Sequence, residues 1–353
     1  MAAAVTEKYE NPVGLDGVEF IEYAGTDPKF FESLFLRYGF EKIAKHPTQQ
    51  IELYRQGEVN FIVNCQPGTF AADFAKLHGP SICSTGFRVK NAADAQKIAT
   101  ARGGVAYLGA DDLRGATAYP AIMGIGDSLV YFMDKTNTKD LYENIFGLKN
   151  GGPQVVGHGF KFVDHFTNNV PKGEMDKWSE FYTNVFGFYE IRYFDIKGKS
   201  TGLLSKAMGS PDGKFAVPIN EPADGKSQIQ EYLDEYAGSG IQHVAMSTDD
   251  IIGTLESLRK TNLEFLAAPP ETYYRAMKTR LPMVVEDVDR LRKNAILVDG
   301  DHEGYLLQIF SKNIVGPIFF EVIQRRGHDG FGNGNFQALF DAIEQDQRER
   351  GYL

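Results

Sequence analysis

Short runs in which apolar and polar residues alternate recur along this chain, and each is followed by a stretch whose apolar residues return every three or four positions. Such a pattern predicts strands and amphipathic helices in turn. Residues 17–24, Gly-Val-Glu-Phe-Ile-Glu-Tyr-Ala, read as a strand. Asp27-Pro28 then opens a helix through Phe31, Leu34, Phe35 and Tyr38 that Gly39 stops. Proline in a first turn and glycine past a last one are ordinary helix-end chemistry. Strands follow at 50–55 and 59–64, then a helix over 70–77 closed by Gly79-Pro80. The order restarts with a strand at 84–89, a helix over 92–102 ended by Gly103-Gly104, and a strand at 128–133.

Asn150-Gly-Gly-Pro153 is the strongest linker signal in the chain, and the same succession returns beyond it. Residues 160–167 read as a strand. Lys177–Phe186 reads as a helix with Trp178, Phe181, Tyr182 and Val185 on one stripe, ended by Gly187-Phe188 as the earlier helix ends at Gly39-Phe40. The strand 241–247 with the helix 251–259 matches 87–89 with 92–102. The chain is therefore expected to repeat a βαβββ unit twice in each half. This makes it an α+β protein with halves at 10–149 and 154–353, each long enough for its own core. In this register Glu22, Gly86 and Tyr131 of the first half stand where the second half has His165, His243 and Glu321.

Those three second-half residues are the candidate chemistry. Pro317-Ile-Phe-Phe-Glu-Val-Ile-Gln-Arg325 has the pattern of a buried strand, yet it carries Glu321 among apolar neighbours. A desolvated carboxylate needs a cation or a proton. His165 and His243 lie on strand-like runs, and the intervals from 165 to 243 and from 243 to 321 are both 78 residues. Two neutral imidazoles and a carboxylate on three strands would form the facial triad expected for non-haem Fe(II). Taken singly each has another reading: a strand histidine as a satisfied core residue, and Glu321 as the partner of Arg325, Arg326 or a more distant arginine.

Composition narrows the classes. A net charge of -10 with no basic stripe argues against nucleic acid as the main partner. There is no run of 18 apolar residues, and Met1-Ala-Ala-Ala-Val-Thr-Glu lacks the regions of a signal peptide, so a cytoplasmic protein without a membrane partner is expected. Cys65 and Cys83 are too few for a disulfide framework or a thiolate zinc site and read as small buried hydrophobes. Gly327-His-Asp-Gly-Phe-Gly-Asn-Gly-Asn335 lacks a Walker lysine. It reads as a hinge before an amphipathic helix over 335–350, with Phe336, Leu339, Phe340 and Ile343 on one face, placed to cover a pocket.

Val163-Asp-His165, Val217-Pro-Ile-Asn-Glu-Pro222, Ser227-Gln-Ile-Gln230, Ile241-Gln-His-Val244, Leu306-Leu-Gln-Ile-Phe310, Phe319-Phe-Glu-Val-Ile-Gln-Arg325 and Gly330-Phe-Gly-Asn-Gly-Asn-Phe336 occur in an order and spacing that resemble the 4-hydroxyphenylpyruvate dioxygenase family of the vicinal oxygen chelate superfamily. The resemblance covers most of the chain and is densest in the second half. It implies open, incomplete barrels of glyoxalase type, a first half without metal and a catalytic second half with a C-terminal gating helix. It implies Fe(II) on His165, His243 and Glu321. It implies Ser205, Asn220, Gln228, Gln242 and Gln308 at the polar part of the pocket, and Pro218, Phe310, Phe319, Phe331, Phe336 and Leu339 around an aromatic ring.

The reaction implied is conversion of 4-hydroxyphenylpyruvate and O₂ to homogentisate and CO₂ in tyrosine and phenylalanine breakdown, by a homo-oligomer that is a tetramer before a dimer. The rival enzyme is 4-hydroxymandelate synthase, in which a smaller aliphatic residue tends to stand where this chain has Phe336. An extradiol catechol dioxygenase and a non-catalytic binding protein on the same fold are the remaining alternatives.

Overall fold

The structure, a computed structural model, describes residues 9–109, 119–267 and 269–353. Residues 1–7, on which the reading of the N-terminus rests, lie outside the described residues. The strands assemble into two mixed sheets. The first comprises β1 (Leu15–Ala24), β2 (Glu41–Lys45), β3 (Ile51–Gln56), β4 (Val59–Asn64), β5 (Ser81–Val89), β6 (Ala121–Met123) and β7 (Leu129–Met133), in the order β2-β3-β4-β1-β5-β7-β6. The second comprises β8 (Phe160–Asn169), β9 (Tyr189–Lys197), β10 (Gly202–Gly209), β11 (Ala216–Pro222), β12 (Gly240–Thr248), β13 (Leu297–Gly300), β14 (Tyr305–Phe310) and β15 (Phe319–Arg326), in the order β13-β14-β15-β12-β8-β11-β10-β9. In each, the first strands of two repeat units pair antiparallel at the centre, β1 with β5 and β8 with β12. Each central strand is flanked by a parallel partner. The sheets curl into open, incomplete barrels in an α+β fold.

The helices are α1 (Pro28–Arg37), α2 (Phe70–His78), α3 (Ala92–Ala101), α4 (Lys135–Lys139), α5 (Met175–Phe181), α6 (Gln228–Tyr236), α7 (Ile251–Leu258), α8 (Glu271–Arg280), α9 (Val288–Lys293) and α10 (Asn333–Glu349). Asp27 caps α1 by accepting from the Lys29 amide. Helix α5 continues into a widened turn, Tyr182–Phe186, before Gly187. Gly39 and Gly187 end the matching helices with φ of +82° and +79°. Glycine is required there, since a Cβ on Gly187 would sit 2.3 Å from the Glu10 carbonyl oxygen. Strands β2, β6, β9, β10, β11, β13 and β14 are absent from the pattern reading; β2 is an edge strand with little burial, and β6 has only three residues. No helix among the described residues is long and apolar enough to cross a membrane. Cys65 and Cys83 are both buried and outside any disulfide.

The two halves also share apolar packing. One apolar cluster draws on both sheets, joined through pairs such as Tyr38–Phe320 at 4.9 Å and Phe87–Phe215 at 5.1 Å between ring centroids. The linker is tied down as well, with Arg55 donating to the Gly151 carbonyl at 2.7 Å. The central strands are buried on both faces for this reason: one face meets the other half and the opposite face lines a barrel interior.

The repeat register also shifts. Phe20 pairs Gly86, which pairs Tyr131, just as His165 pairs Ala245, which pairs Glu321. Ser84 faces Glu22 as His243 faces Thr167. The first-half counterparts of His165, His243 and Glu321 are therefore Phe20, Ser84 and Tyr131, two residues away from the expected Glu22 and Gly86 on β1 and β5. A shift of two leaves every side chain on its original face, so alternation alone cannot detect it. The first barrel interior is filled where the second is hollow: Phe20 and Tyr131 lie 6.0 Å apart in a cluster with Ile51, Leu53, Ile62 and Leu129.

Candidate metal centre

His165 from β8, His243 from β12 and Glu321 from β15 converge, with ligand atoms all within 4.8 Å of one another and every residue buried. Glu321 Oε2 lies 3.1 Å from His165 Nε2 and 3.4 Å from His243 Nε2. Among the described residues this is the group of histidine, cysteine and acidic side chains placed to hold a metal ion. Arg325, one of the alternative partners considered for Glu321, is instead paired with Asp164.

Two β-bulges set the histidine orientations. Between β8 and β12 the register skips at Asp164 and again at Gln242, so each extra residue turns its side chain alongside the histidine that follows it. Asp164 Oδ1 meets His165 Nδ1 at 2.8 Å, and Gln242 Oε1 meets His243 Nδ1 at 3.1 Å. With Nδ1 occupied as a donor, Nε2 is the nitrogen each ring turns toward Glu321. Removing the Gln242 amide is expected to leave the fold intact and weaken metal binding about 10- to 100-fold. Calorimetric titration of Gln242→Ala with Fe(II) under anaerobic conditions measures this, and an unchanged affinity would remove Gln242 from the site.

The electrostatics already contain the charge a cation would replace. Burial alone would raise the Glu321 pKa, but the positive charge of His165 and its hydrogen bond, with a smaller contribution from His243, hold it at about 2. Burial opposes protonation of His165, yet the Glu321 charge and the Asp164 hydrogen bond push it up to about 9. Burial lowers His243, and it stays neutral. A divalent ion held by both imidazoles would supply this neutralisation instead and release any proton carried by His165.

The triad opens onto a cavity lined by Ser205, Pro218, Asn220, Gln228, Gln242, Gln308, Phe310, Phe331, Phe336 and Leu339. Gln228 comes from the first turn of α6 rather than a strand. Phe319 is the exception among the expected residues: its ring lies outside the cavity lining and stacks on His243 at 4.8 Å, because the two residues are direct cross-strand partners. Sequence reasoning missed Thr167, Phe194, Leu203 and Ala207 in the cavity wall. It also gave no role to Asp164 and Arg325 behind His165, or to Asn335 behind Gln308. The adjacent pairs Asp164-His165 and Gln242-His243 were the available signal for the bulges. The cavity volume is about 40 Å³, roughly three times what one water molecule needs.

Helix α10 closes this cavity. Its Phe336 meets Phe194 at 5.1 Å, and its buried Glu344 accepts from the Ser200 and Thr201 amides at 2.9 Å each in the β9–β10 turn. Burial alone would raise the Glu344 pKa, but those amides and Arg348 hold it below the usual carboxylate range. A lowered folded-state pKa means stabilisation that is complete above about pH 4.5 and lost as pH falls through the folded value. The melting-temperature difference between wild type and Glu344→Gln should therefore be largest above pH 5 and shrink toward pH 3. A difference independent of pH would show that the carboxylate charge is not what fastens the helix.

Residues 9–148 match the family model described as hydroxyphenylpyruvate dioxygenase, N-terminal, and residues 162–309 match the glyoxalase/bleomycin resistance protein/dioxygenase superfamily. A 4-hydroxyphenylpyruvate dioxygenase of Legionella pneumophila (strain Corby) is 47% identical over 97% of this chain and 98% of its own. A protein called hemolysin VllY of Vibrio vulnificus is 47% identical with the same coverages. Among solved structures, a xylose isomerase-like TIM barrel/4-hydroxyphenylpyruvate dioxygenase fusion protein superposes with a TM-score of 0.79 at 29% identity, covering 95% of this chain and 54% of that one. With this identity running through both halves and a histidine, histidine and glutamate set converging in the second, the chain belongs to the 4-hydroxyphenylpyruvate dioxygenase family.

Proposed function

We infer that the protein is an Fe(II)-dependent dioxygenase that converts 4-hydroxyphenylpyruvate and O₂ to homogentisate and CO₂. The observation that carries this reading is the buried convergence of two imidazole Nε2 atoms on one carboxylate at the floor of a cavity with aromatic walls. The donor set suits Fe(II), with His165, His243 and Glu321 as ligands. Bound there, the ion would supply the redox chemistry that turns O₂ on the substrate's oxo-acid arm. The remaining work belongs to the chain. Phe310, Phe331, Phe336, Leu339 and Pro218 enclose the ring and keep water out. Ser205, Asn220, Gln228, Gln242 and Gln308 orient polar ends without adding charge. Asn220 Oδ1 is buried with no hydrogen-bond partner among the described residues, which suits an acceptor for a substrate hydroxyl.

Helix α10, whose Phe336 and Leu339 line the cavity, acts as the gating helix and swings on the glycines of 327–334. The enzyme works in the cytoplasm as a homo-oligomer, a tetramer before a dimer, which sedimentation tests. The experiment for the function is anaerobic Fe(II) loading, then turnover of 4-hydroxyphenylpyruvate with O₂ and identification of the product. Homogentisate is expected. A mandelate-type product would assign the protein to 4-hydroxymandelate synthase activity; Phe336, bulky and inside the cavity wall, favours ring hydroxylation over that outcome.

A further inference from the structure

Both ends of the segment that carries α10 are tied to the outer side of a metal ligand. At the far end, Asn335 is fully buried in the first turn of α10. Its Nδ2 donates to Gln308 Oε1 at 2.8 Å, and Gln308 Nε2 donates to Glu321 Oε1 at 2.9 Å. Tyr273 donates to Asn335 Oδ1 at 3.0 Å, and Asp299 accepts from the Gly334 amide at 2.5 Å. Asn335 is thus held in one orientation by elements outside the cavity, and it dictates which end of the Gln308 amide faces Glu321. At the near end, Arg325 donates to the His328 carbonyl at 3.0 Å and the Gly330 carbonyl at 2.5 Å. The same guanidinium makes two bonds of 2.8 Å to Asp164, which holds His165. Phe331 completes this link, with its ring 5.0 Å from His165 and under the Arg325 guanidinium at 5.6 Å.

We propose that closure of α10 and metal binding are one linked equilibrium, transmitted through Asn335–Gln308–Glu321 and through the 328–331 turn, Arg325, Asp164 and His165. Asn335 and Arg325 are positioning residues in this scheme, acting on the ligands through Gln308 and Asp164. When α10 departs, Gln308 loses the acceptor-side contact that fixes its amide, and Arg325 loses two carbonyl partners, so both ligands lose rigidity together. Coupling of this kind is reciprocal: whatever the ion does to the helix, the helix does to the affinity for the ion. The proposal rests on the reading of α10 as a gating helix over a metal site.

The test uses Fe(II) alone, anaerobically and without substrate, on the full chain. Fe(II) is expected to slow amide hydrogen exchange across residues 333–349 by roughly 5-fold or more, and unchanged exchange there overturns the proposal. Glu344→Gln, whose contacts are with the β9–β10 turn and Arg348 and not with the ligands, is expected to lower Fe(II) affinity by a similar factor. That loss should shrink when Glu344→Gln is made in an Asn335→Ala background, where one of the two connections is already cut. An unchanged Fe(II) affinity in Glu344→Gln, or an equal further loss in the double variant, overturns the link through Asn335. The exchange measurement on the wild type decides the matter even if a variant fails to fold. Product formation separates the two readings: homogentisate with α10 indifferent to Fe(II) sinks the linkage alone, whereas an Fe(II)-responsive α10 without turnover sinks the dioxygenase reading and leaves the linkage standing.

Discussion

Replacing Glu321 by glutamine is expected to weaken Fe(II) binding by at least about 100-fold and to abolish measurable turnover. Removing one partner from a buried charge set costs about 3–5 kcal/mol, and each 1.4 kcal/mol is tenfold in affinity. The substitution is chosen because the fold should tolerate it. Gln308 Nε2 now donates to Glu321 Oε1 at 2.9 Å, and a glutamine at 321 keeps an oxygen for that bond. Its amide nitrogen would face His165 Nε2, which can accept once the imidazole gives up its proton. The variant therefore separates the chemistry of the carboxylate from its place in the barrel. Anaerobic titration calorimetry reads the affinity and an oxygen electrode the turnover. Near wild-type iron affinity in this variant would exclude Glu321 as a ligand.

Asp164→Ala should be the most destabilising single change near the site, by about 3 kcal/mol or more, with iron affinity reduced about 10- to 100-fold. Asp164 neutralises Arg325 through two bonds of 2.8 Å and accepts from His165 Nδ1 at 2.8 Å. Burial alone would raise its pKa, but Arg325 and His165 hold it well below the usual carboxylate range. Alanine leaves a guanidinium that is about one-fifth exposed without its counter-charge, and it frees the His165 ring to rotate. Asp164→Asn separates these effects. It keeps an oxygen for His165 while losing the charge, so it should retain most of the metal affinity and still show much of the stability loss. Denaturant midpoints and Fe(II) titrations on both variants are the measurements. Equal iron losses in the two would mean that charge, not ring orientation, is what Asp164 contributes.

What the linear chain determined by itself was the identity and order of the parts. Alternation and glycine-terminated helices marked most of the repeated strands and helices, because backbone pairing and helix ends depend on residues that are neighbours in sequence. A lone glutamate in an apolar strand announced that it needed a partner, and the resemblance of the surrounding segments to a known family pointed to the triad and its chemistry. Tertiary structure decided how the parts meet. The two-residue register between the halves was invisible because a shift of two preserves every face. The adjacent pairs Asp164-His165 and Gln242-His243 hint at the bulges, but only the strand pairing turns those side chains onto His165 and His243. Phe319 left the cavity for the back of His243 because cross-strand pairing set it there. Arg325–Asp164 and Asn335–Gln308 join residues 161 and 27 positions apart. Such contacts depend on how whole sheets pair and where a helix docks, and no local pattern along the chain encodes those distances.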